Sequence, residues 1–202
     1  MQDINIHPFS EEFIDDVVAI FQKELFGAFS AKLGENFFKK LYFPYFFSHK
    51  NSIGFIAKDK DKRVIGFILA SQHGNFYSFL LKSNLLLFLF LCIKRIFKDP
   101  SFIFSILSML FVFNVSIDFK GDEQPVELLY MAVDSGFQGM GIGQKLVKII
   151  ERDLSKRKYN KFLVQTLKAT PKARDFYLES GFVDVKNQFG RYWLMKDIKV
   201  YD

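Results

Sequence analysis

Cysteine is almost missing from this 202-residue chain: Cys92 stands alone, which excludes an internal disulfide and suits a reducing cytoplasm. Histidine is nearly as scarce, with residues only at 7, 49 and 73. None of them joins a cysteine or carboxylate at metal-ligand spacing, so no metal is expected. Long apolar runs are missing too. Leu85–Ile93 gives nine consecutive apolar residues, far short of the roughly 20 that a membrane-spanning helix needs. Residues 1–6 show no basic stretch ahead of an apolar core, and no secretory signal is expected. No Gly-Lys-Ser or Gly-Lys-Thr closes a glycine loop, which excludes the lysine P-loop, and the G-x-G-x-x-G dinucleotide fingerprint is also absent.

What remains is an ordinary globular composition, 50% hydrophobic and 25% charged, in a chain long enough for one domain with a real core. The net charge of +6 would steer an anionic ligand such as coenzyme A or a nucleotide-linked substrate. Nucleic acid is the other usual partner of a basic chain. Here the lysines are spread through the sequence and no basic-aromatic module appears, so no nucleic-acid binding is expected.

The most informative stretch is Tyr130-Met-Ala-Val-Asp-Ser-Gly-Phe-Gln-Gly-Met-Gly-Ile-Gly-Gln-Lys145. An apolar run, Val126 to Val133, meets a short polar turn, then glycines at 139, 141 and 143, then an amphipathic helix. A strand that ends in a glycine loop opening a helix is an anion cradle. Glycine allows close backbone approach, the first helical turn offers unpaired N–H groups, and the helix dipole favours negative charge. A diphosphate-bearing ligand is expected there.

Gln138-x-x-Gly141-x-Gly143, after a strand ending Met131-Ala132-Val133, resembles the acetyl-coenzyme A loop of the GCN5-related N-acetyltransferases (GNAT). A second block, Thr170-Pro-Lys-Ala-Arg-Asp-Phe-Tyr-Leu-Glu-Ser-Gly-Phe182, resembles that family's helix carrying an aromatic-tyrosine pair before Gly-Phe. In physical terms Thr170 suits an N-cap, Pro171 the first helical position and Gly181 the helix stop. The resemblance covers about 126–182. It implies a mixed α/β fold, a mostly antiparallel sheet flanked by helices.

Periodicity fills in the remainder. A short strand at 3–7 precedes a helix opened by Ser10 as N-cap, with Phe13, Val17, Ile20 and Phe21 on its apolar face. A second helix is expected over 34–47, with Phe37, Phe38, Leu41 and Tyr42 on one side. Strands Ile53–Lys58 and Arg63–Ser71 flank a charged turn, Asp59-Lys-Asp-Lys. After the glycine loop come a helix striped by Ile142, Leu146, Ile149 and Ile150, a strand Phe162–Thr166, a helix over 171–180, and strands near 182–188 and 191–198. The chain is read as one domain, 1–202, with an apolar helical insertion at about 76–119. That insertion is expected to form a hairpin packing on the sheet or on a second subunit, which makes a homodimer plausible. The alternatives are a cover over the acceptor site or a surface for a membrane or partner protein.

The resemblance assigns the chemistry. Acetyl transfer from a thioester to an amine requires a neutral amine, yet an alkyl amine has a pKa of about 10, so a base is needed. Glu127, four residues before Met131 on the cofactor strand, is the expected base. Tyr177 is the expected acid, protonating the departing thiolate, with Phe176 beside it in the core. Acetyl-CoA as co-substrate would be held by Met131, Ala132 and Val133 along the pantetheine arm. Gln138, Gly139, Met140, Gly141, Ile142, Gly143 and Gln144 would wrap the pyrophosphate. Thr170 stands where the family usually has asparagine, which puts its cofactor contact in doubt. His73 is an alternative base, while His7 and His49 read as surface positions. The acceptor implied is a small-molecule primary amine, with an amino sugar suggested by insertions at this place in similar enzymes. The competing reading is a coenzyme A-binding or membrane-docking module without activity.

Overall fold

The computed structural model of the chain describes residues 4–72, 80, 84–113, 124–188 and 190–199. His73 and the ends of the expected insertion lie outside them. Contacts divide the chain into two compact units, one built on the strands and the other on the helices of residues 10–50 and 84–113.

The first unit is a seven-stranded sheet in the order β1-β2-β3-β4-β5-β7-β6. Its strands are β1 (Asn5–Pro8), β2 (Ile53–Lys58), β3 (Val64–Gln72), β4 (Val126–Val133), β5 (Lys161–Leu167), β6 (Val183–Gln188) and β7 (Arg191–Asp197). All neighbours are antiparallel except β4 and β5. Two helices belong to the same unit, here labelled α7 (Ile142–Lys156) and α8 (Pro171–Glu179). The apolar stripe of α7 (Ile142, Leu146, Val147, Ile150, Leu154) is buried in one core with Ile68, Ala70, Val126, Leu128, Val164 and Leu194 of the sheet, joined by Tyr177 and Phe182. Lys196 fastens this packing from the last strand. Its Nζ donates to Glu151 Oε1 at 2.6 Å on α7 and to the Ser180 carbonyl at 2.7 Å at the end of α8.

The charged turn after β2 is organised by Asp59, a buried carboxylate. It accepts from the backbone N–H of Asp61 (3.0 Å) and Arg63 (2.9 Å) and from Arg63 Nε (2.8 Å). Lys62 takes a positive φ of 62° to close the turn.

The second unit is helical. It comprises α1 (Ile14–Glu24), α2 (Phe29–Lys32), α3 (Glu35–Phe37), α4 (Phe43–Ser48), α5 (Leu85–Lys98) and α6 (Phe102–Phe113), with a π turn, Phe38–Tyr42, between α3 and α4. The expected apolar faces are buried, and aromatic rings fill the space between them. Phe21 lies 4.4 Å from Phe38, and Tyr42 packs edge-on to Phe43 at 5.3 Å. Phe29 stacks on Phe102 at 5.2 Å, and Lys32 Nζ reaches Ser105 Oγ at 3.0 Å, tying α2 to α6. Burial raises the Cys92 thiol to about 11, so it packs as an inert apolar group.

Two local expectations fail. Ser10 does not cap a helix: its hydroxyl donates to Glu12 Oε1 at 3.0 Å, and a 3-10 turn, Glu11–Phe13, intervenes before α1. The hydroxyl, turned to the carboxylate two residues on, accepts no N–H of the turn. His49 is half-buried rather than superficial, 5.5 Å from the Tyr45 ring, and desolvation lowers its pKa.

Burial works to raise the Asp59 pKa, but the hydrogen bonds from Arg63 and Asp61 outweigh it and hold the carboxyl below its usual value. A carboxyl depressed in this way stabilises the fold above its unfolded pKa of about 4, and that contribution fades as pH falls through the lower folded value. Asp59→Asn is therefore expected to lower the thermal midpoint at pH 7 and to flatten its decline between about pH 5 and 3, as measured by circular dichroism melts across pH.

Candidate active site

The candidate site begins where two strands part. β4 pairs with β5 only over Val126–Leu128 against Phe162–Val164. On the other edge of β4, the register with β3 slips by one residue, Leu69 facing Tyr130 while Ala70 faces Leu128, so Leu129 is an extra residue. A bulge of this kind bends the strand and increases its twist. Beyond it β4 continues alone on the β5 side, while β5 remains paired along its whole length with β7.

The hydrogen-bond alternation of an antiparallel pair fixes which groups face that gap. Asp134 N–H donates to the Ile65 carbonyl at 2.9 Å. Counting back, Ala132 turns its backbone groups toward β3, and Met131 and Val133 turn theirs toward the gap. The Val133 carbonyl accepts from Gln138 Nε2 at 2.9 Å. Gln138 thereby folds the loop back onto the strand end.

The loop itself is built by three glycines used in two ways. Gly139 and Gly141 have φ of 78° and 74°, with open space where a side chain would stand. These are left-handed positions that only glycine adopts at little cost. Gly141 is the residue just before α7. Gly143 is needed for space instead, since a Cβ there would lie 3.1 Å from the Phe176 ring. Asp134 supports the turn before them, accepting from Gly136 N–H at 3.0 Å. Gln138, Gly139, Met140, Gly141 and Gln144 are exposed, Gly143 is half-buried, and Ile142 is buried as the first core residue of α7. The loop therefore presents backbone N–H groups at the positive end of a 15-residue helix, the arrangement suited to a phosphate.

Glu127 lies on the sheet face opposite α7. Its register neighbours are Ser71 of β3 and Leu163 of β5. Gln165 Nε2 donates to Glu127 Oε1 at 2.7 Å, an orienting contact from the strand that has already parted from β4. Neither Gln165 nor the fully buried Ser71 stands out in the sequence. The available signal was the strand alternation, which sets Gln165 on the face of Leu163, beside the strand pair that Glu127 occupies.

Tyr177 lies deeper than Phe176, which was expected in the core and is only partly buried against it. Tyr177 is 6% exposed, packed edge-on against Phe176 at 5.1 Å and Phe182 at 5.5 Å. Phe176 is half-buried, under Gly143. Desolvation pushes the Tyr177 phenol well above its ordinary pKa, so it keeps its proton throughout the physiological range. Thr170 occupies the residue before α8 without capping it. Its hydroxyl donates to the Leu167 carbonyl at 3.0 Å, closing the turn from β5. Among the described residues no group of side chains could hold a metal ion.

Residues 117–195 match the family model described as acetyltransferase (GNAT) domain. No curated protein matches the sequence. Solved structures match in fold over almost the whole chain. A GNAT-family acetyltransferase from Staphylococcus aureus Mu50 is 14% identical with a TM-score of 0.60, covering 98% of this chain and 100% of that one. The ribosomal-protein-S18-alanine N-acetyltransferase of Escherichia coli is 13% identical with a TM-score of 0.60, over 99% and 97%. The PaiA N-acetyltransferase of Thermoplasma acidophilum, solved in complex with coenzyme A, is 14% identical with a TM-score of 0.61, over 96% and 99%.

The different duties of the glycines separate by mutation. Gly141→Ala is expected to cost about 1–2 kcal/mol of stability from the left-handed backbone alone. Gly143→Ala is expected to destabilise through the Phe176 ring, and Phe176→Leu should recover part of that loss while leaving the Gly141→Ala loss unchanged. Urea unfolding of the single and double variants measures both. The parted strands, the glycine loop on α7 and the match over 117–195 agree: this segment is similar to the acetyltransferase (GNAT) domain, and the chain has the fold of the solved GNAT structures.

Proposed function

We propose that the chain is a single cytoplasmic N-acetyltransferase domain with an apolar helical insertion, moving an acetyl group from acetyl-CoA to a primary amine of a small molecule. The observation that carries this reading is the gap between β4 and β5, closed at one end by the glycine loop. An extended pantetheine arm fits beside β4 as an added strand, taking the backbone groups of Met131 and Val133. The exposed N–H groups of residues 138–144 would take the pyrophosphate. Ala132, with its backbone turned to β3, supports its neighbours rather than the ligand.

Acetyl-CoA supplies the thioester carbonyl. The Glu127 carboxylate, held through Oε1 by Gln165, accepts a proton from the amine, directly or through water. The amine nitrogen then bonds to the carbonyl carbon as the carbon–sulfur bond breaks. The Tyr177 phenol gives its proton to the sulfur, and the second proton shed by the acylated nitrogen restores the phenol through solvent, leaving an amide and a thiol. Binding both substrates in one ternary complex supplies much of the rate by orientation. The acceptor is to be sought among amines, with amino sugars and nucleotide-linked amino sugars first, and amino acids, polyamines and protein amines after them.

The burial of Tyr177 favours a second reading, in which the ring is only packing and the chain binds coenzyme A without turnover. Calorimetric titration with acetyl-CoA, run beside Gly141→Glu, tests the cofactor assignment. Micromolar binding that the variant loses is expected, and no binding by the native chain sinks it. With an accepted amine in hand, Glu127→Gln and Tyr177→Phe are each expected to lower kcat by about 100-fold or more, with coenzyme A affinity nearly unchanged. A Tyr177→Phe variant at full kcat would remove that residue from the chemistry.

A further inference from the structure

Helix α5 turns an apolar face outward. Leu86 is 84% exposed, Phe90 61%, Ile93 54% and Phe97 85%, and these positions recur at the spacing of a single helical stripe. Leu85 and Leu89 widen it and are also exposed. The opposite side, with Phe88, Leu91 and Cys92, is buried. With whole leucine, isoleucine and phenylalanine residues at about 200 Å² each, the exposed parts of the six residues come to roughly 800 Å², above the few hundred Å² usual for the largest apolar patch of a monomer.

Charge decides what this face fits. Over residues 84–113 the only carboxylate is Asp99, against Lys94, Arg95 and Lys98. Asp99 is occupied locally, by Arg95 Nη2 at 3.2 Å and by the Ser101 hydroxyl at 2.6 Å. Lys94 and Lys98 are exposed, on the turns beside Phe90 and Phe97. The stripe is therefore bordered by cations that no acid of the hairpin balances. A two-fold contact with a second copy would gather the lysines of both chains around one apolar patch, which like charge opposes. An anionic lipid surface takes both features together: acyl chains accept the apolar face and headgroups accept the lysines. No described helix is long and apolar enough to cross a membrane, which leaves α5 lying in the interface plane.

We propose that the Leu86–Phe90–Ile93–Phe97 face of α5 docks on an anionic lipid bilayer surface, with Lys94 and Lys98 at the headgroups. The test is flotation of the full chain with vesicles of phosphatidylcholine alone and with phosphatidylglycerol added. The chain is expected to float with the phosphatidylglycerol vesicles and to be released as salt rises. Phe90→Ser combined with Phe97→Ser should lower the bound fraction about tenfold or more, and Lys94→Glu with Lys98→Glu should abolish the preference for phosphatidylglycerol. Far-ultraviolet circular dichroism and the urea midpoint, expected to match the native chain, verify that these surface variants fold. A chain that floats with neither vesicle, or a double-serine variant that floats like the native chain, overturns the proposal. So does a dimer in sedimentation equilibrium that the double-serine variant converts to monomer, since the face would then belong to a second copy.

Discussion

Parallel pairing between β4 and β5 lasts three residues on each strand, and the arrangement of the candidate site follows from where it stops. A parallel pair normally continues as long as both strands remain straight and in register. Here the extra residue at Leu129 bends β4 at the point where pairing ends, while the continuous ladder with β7 keeps β5 on its own course. The gap exposes backbone hydrogen-bonding groups that a folded chain otherwise satisfies. Such groups are tolerated in a native fold when a ligand or water takes them, so an unfilled strand edge inside a sheet is itself an argument for an extended ligand.

The same parting of strands explains why the catalytic candidates stand where they do. Glu127 lies within the last paired residues, where strand pairing fixes its backbone firmly, and Gln165 lies just beyond the last paired residue of β5. A side chain of β5 just past the point of parting thus reaches back to one of β4 within the paired stretch. The glycine loop lies at the far end of the same stretch of β4, seven residues from Gln138 to Gln144. The distance along the strand from Glu127 to the loop therefore sets how much of an extended ligand can lie between that carboxylate and the loop. Chain geometry relates the two ends of the site without any side chain needing to span them.

Much of this was legible in the sequence because local chemistry dictated it. The bounds of β2 and β4 follow from apolar runs ended by charged or glycine-rich turns, and the start of α7 follows from glycines whose backbone angles other residues avoid. What stayed hidden was set by tertiary contact. Nothing in Phe176-Tyr177 says which ring goes deeper; that depends on Gly143, whose missing side chain admits the phenylalanine. Ser10 and Thr170 both have the composition of caps, yet both hydroxyls find nearer partners, a carboxylate in one case and a carbonyl in the other. The Leu129 bulge was equally invisible, since an apolar strand reads the same with or without one extra residue.

Helix α5 presents the opposite case, in which the sequence pattern was plain and its meaning came only from exposure. A run of nine apolar residues ordinarily marks a segment buried on all sides. Here only one side is buried, and the remainder is as apolar as a core would be while carrying basic residues at its margin. Burying the stripe within the same chain would have required a partner surface and would have left Lys94 and Lys98 beside it without counter-charge. Replacing the exposed leucines and phenylalanines with polar residues would leave the buried Phe88–Leu91–Cys92 side intact, so the fold does not require them. An apolar stripe that the fold does not require, and that raises the hazard of aggregation, is best accounted for by a surface it meets elsewhere.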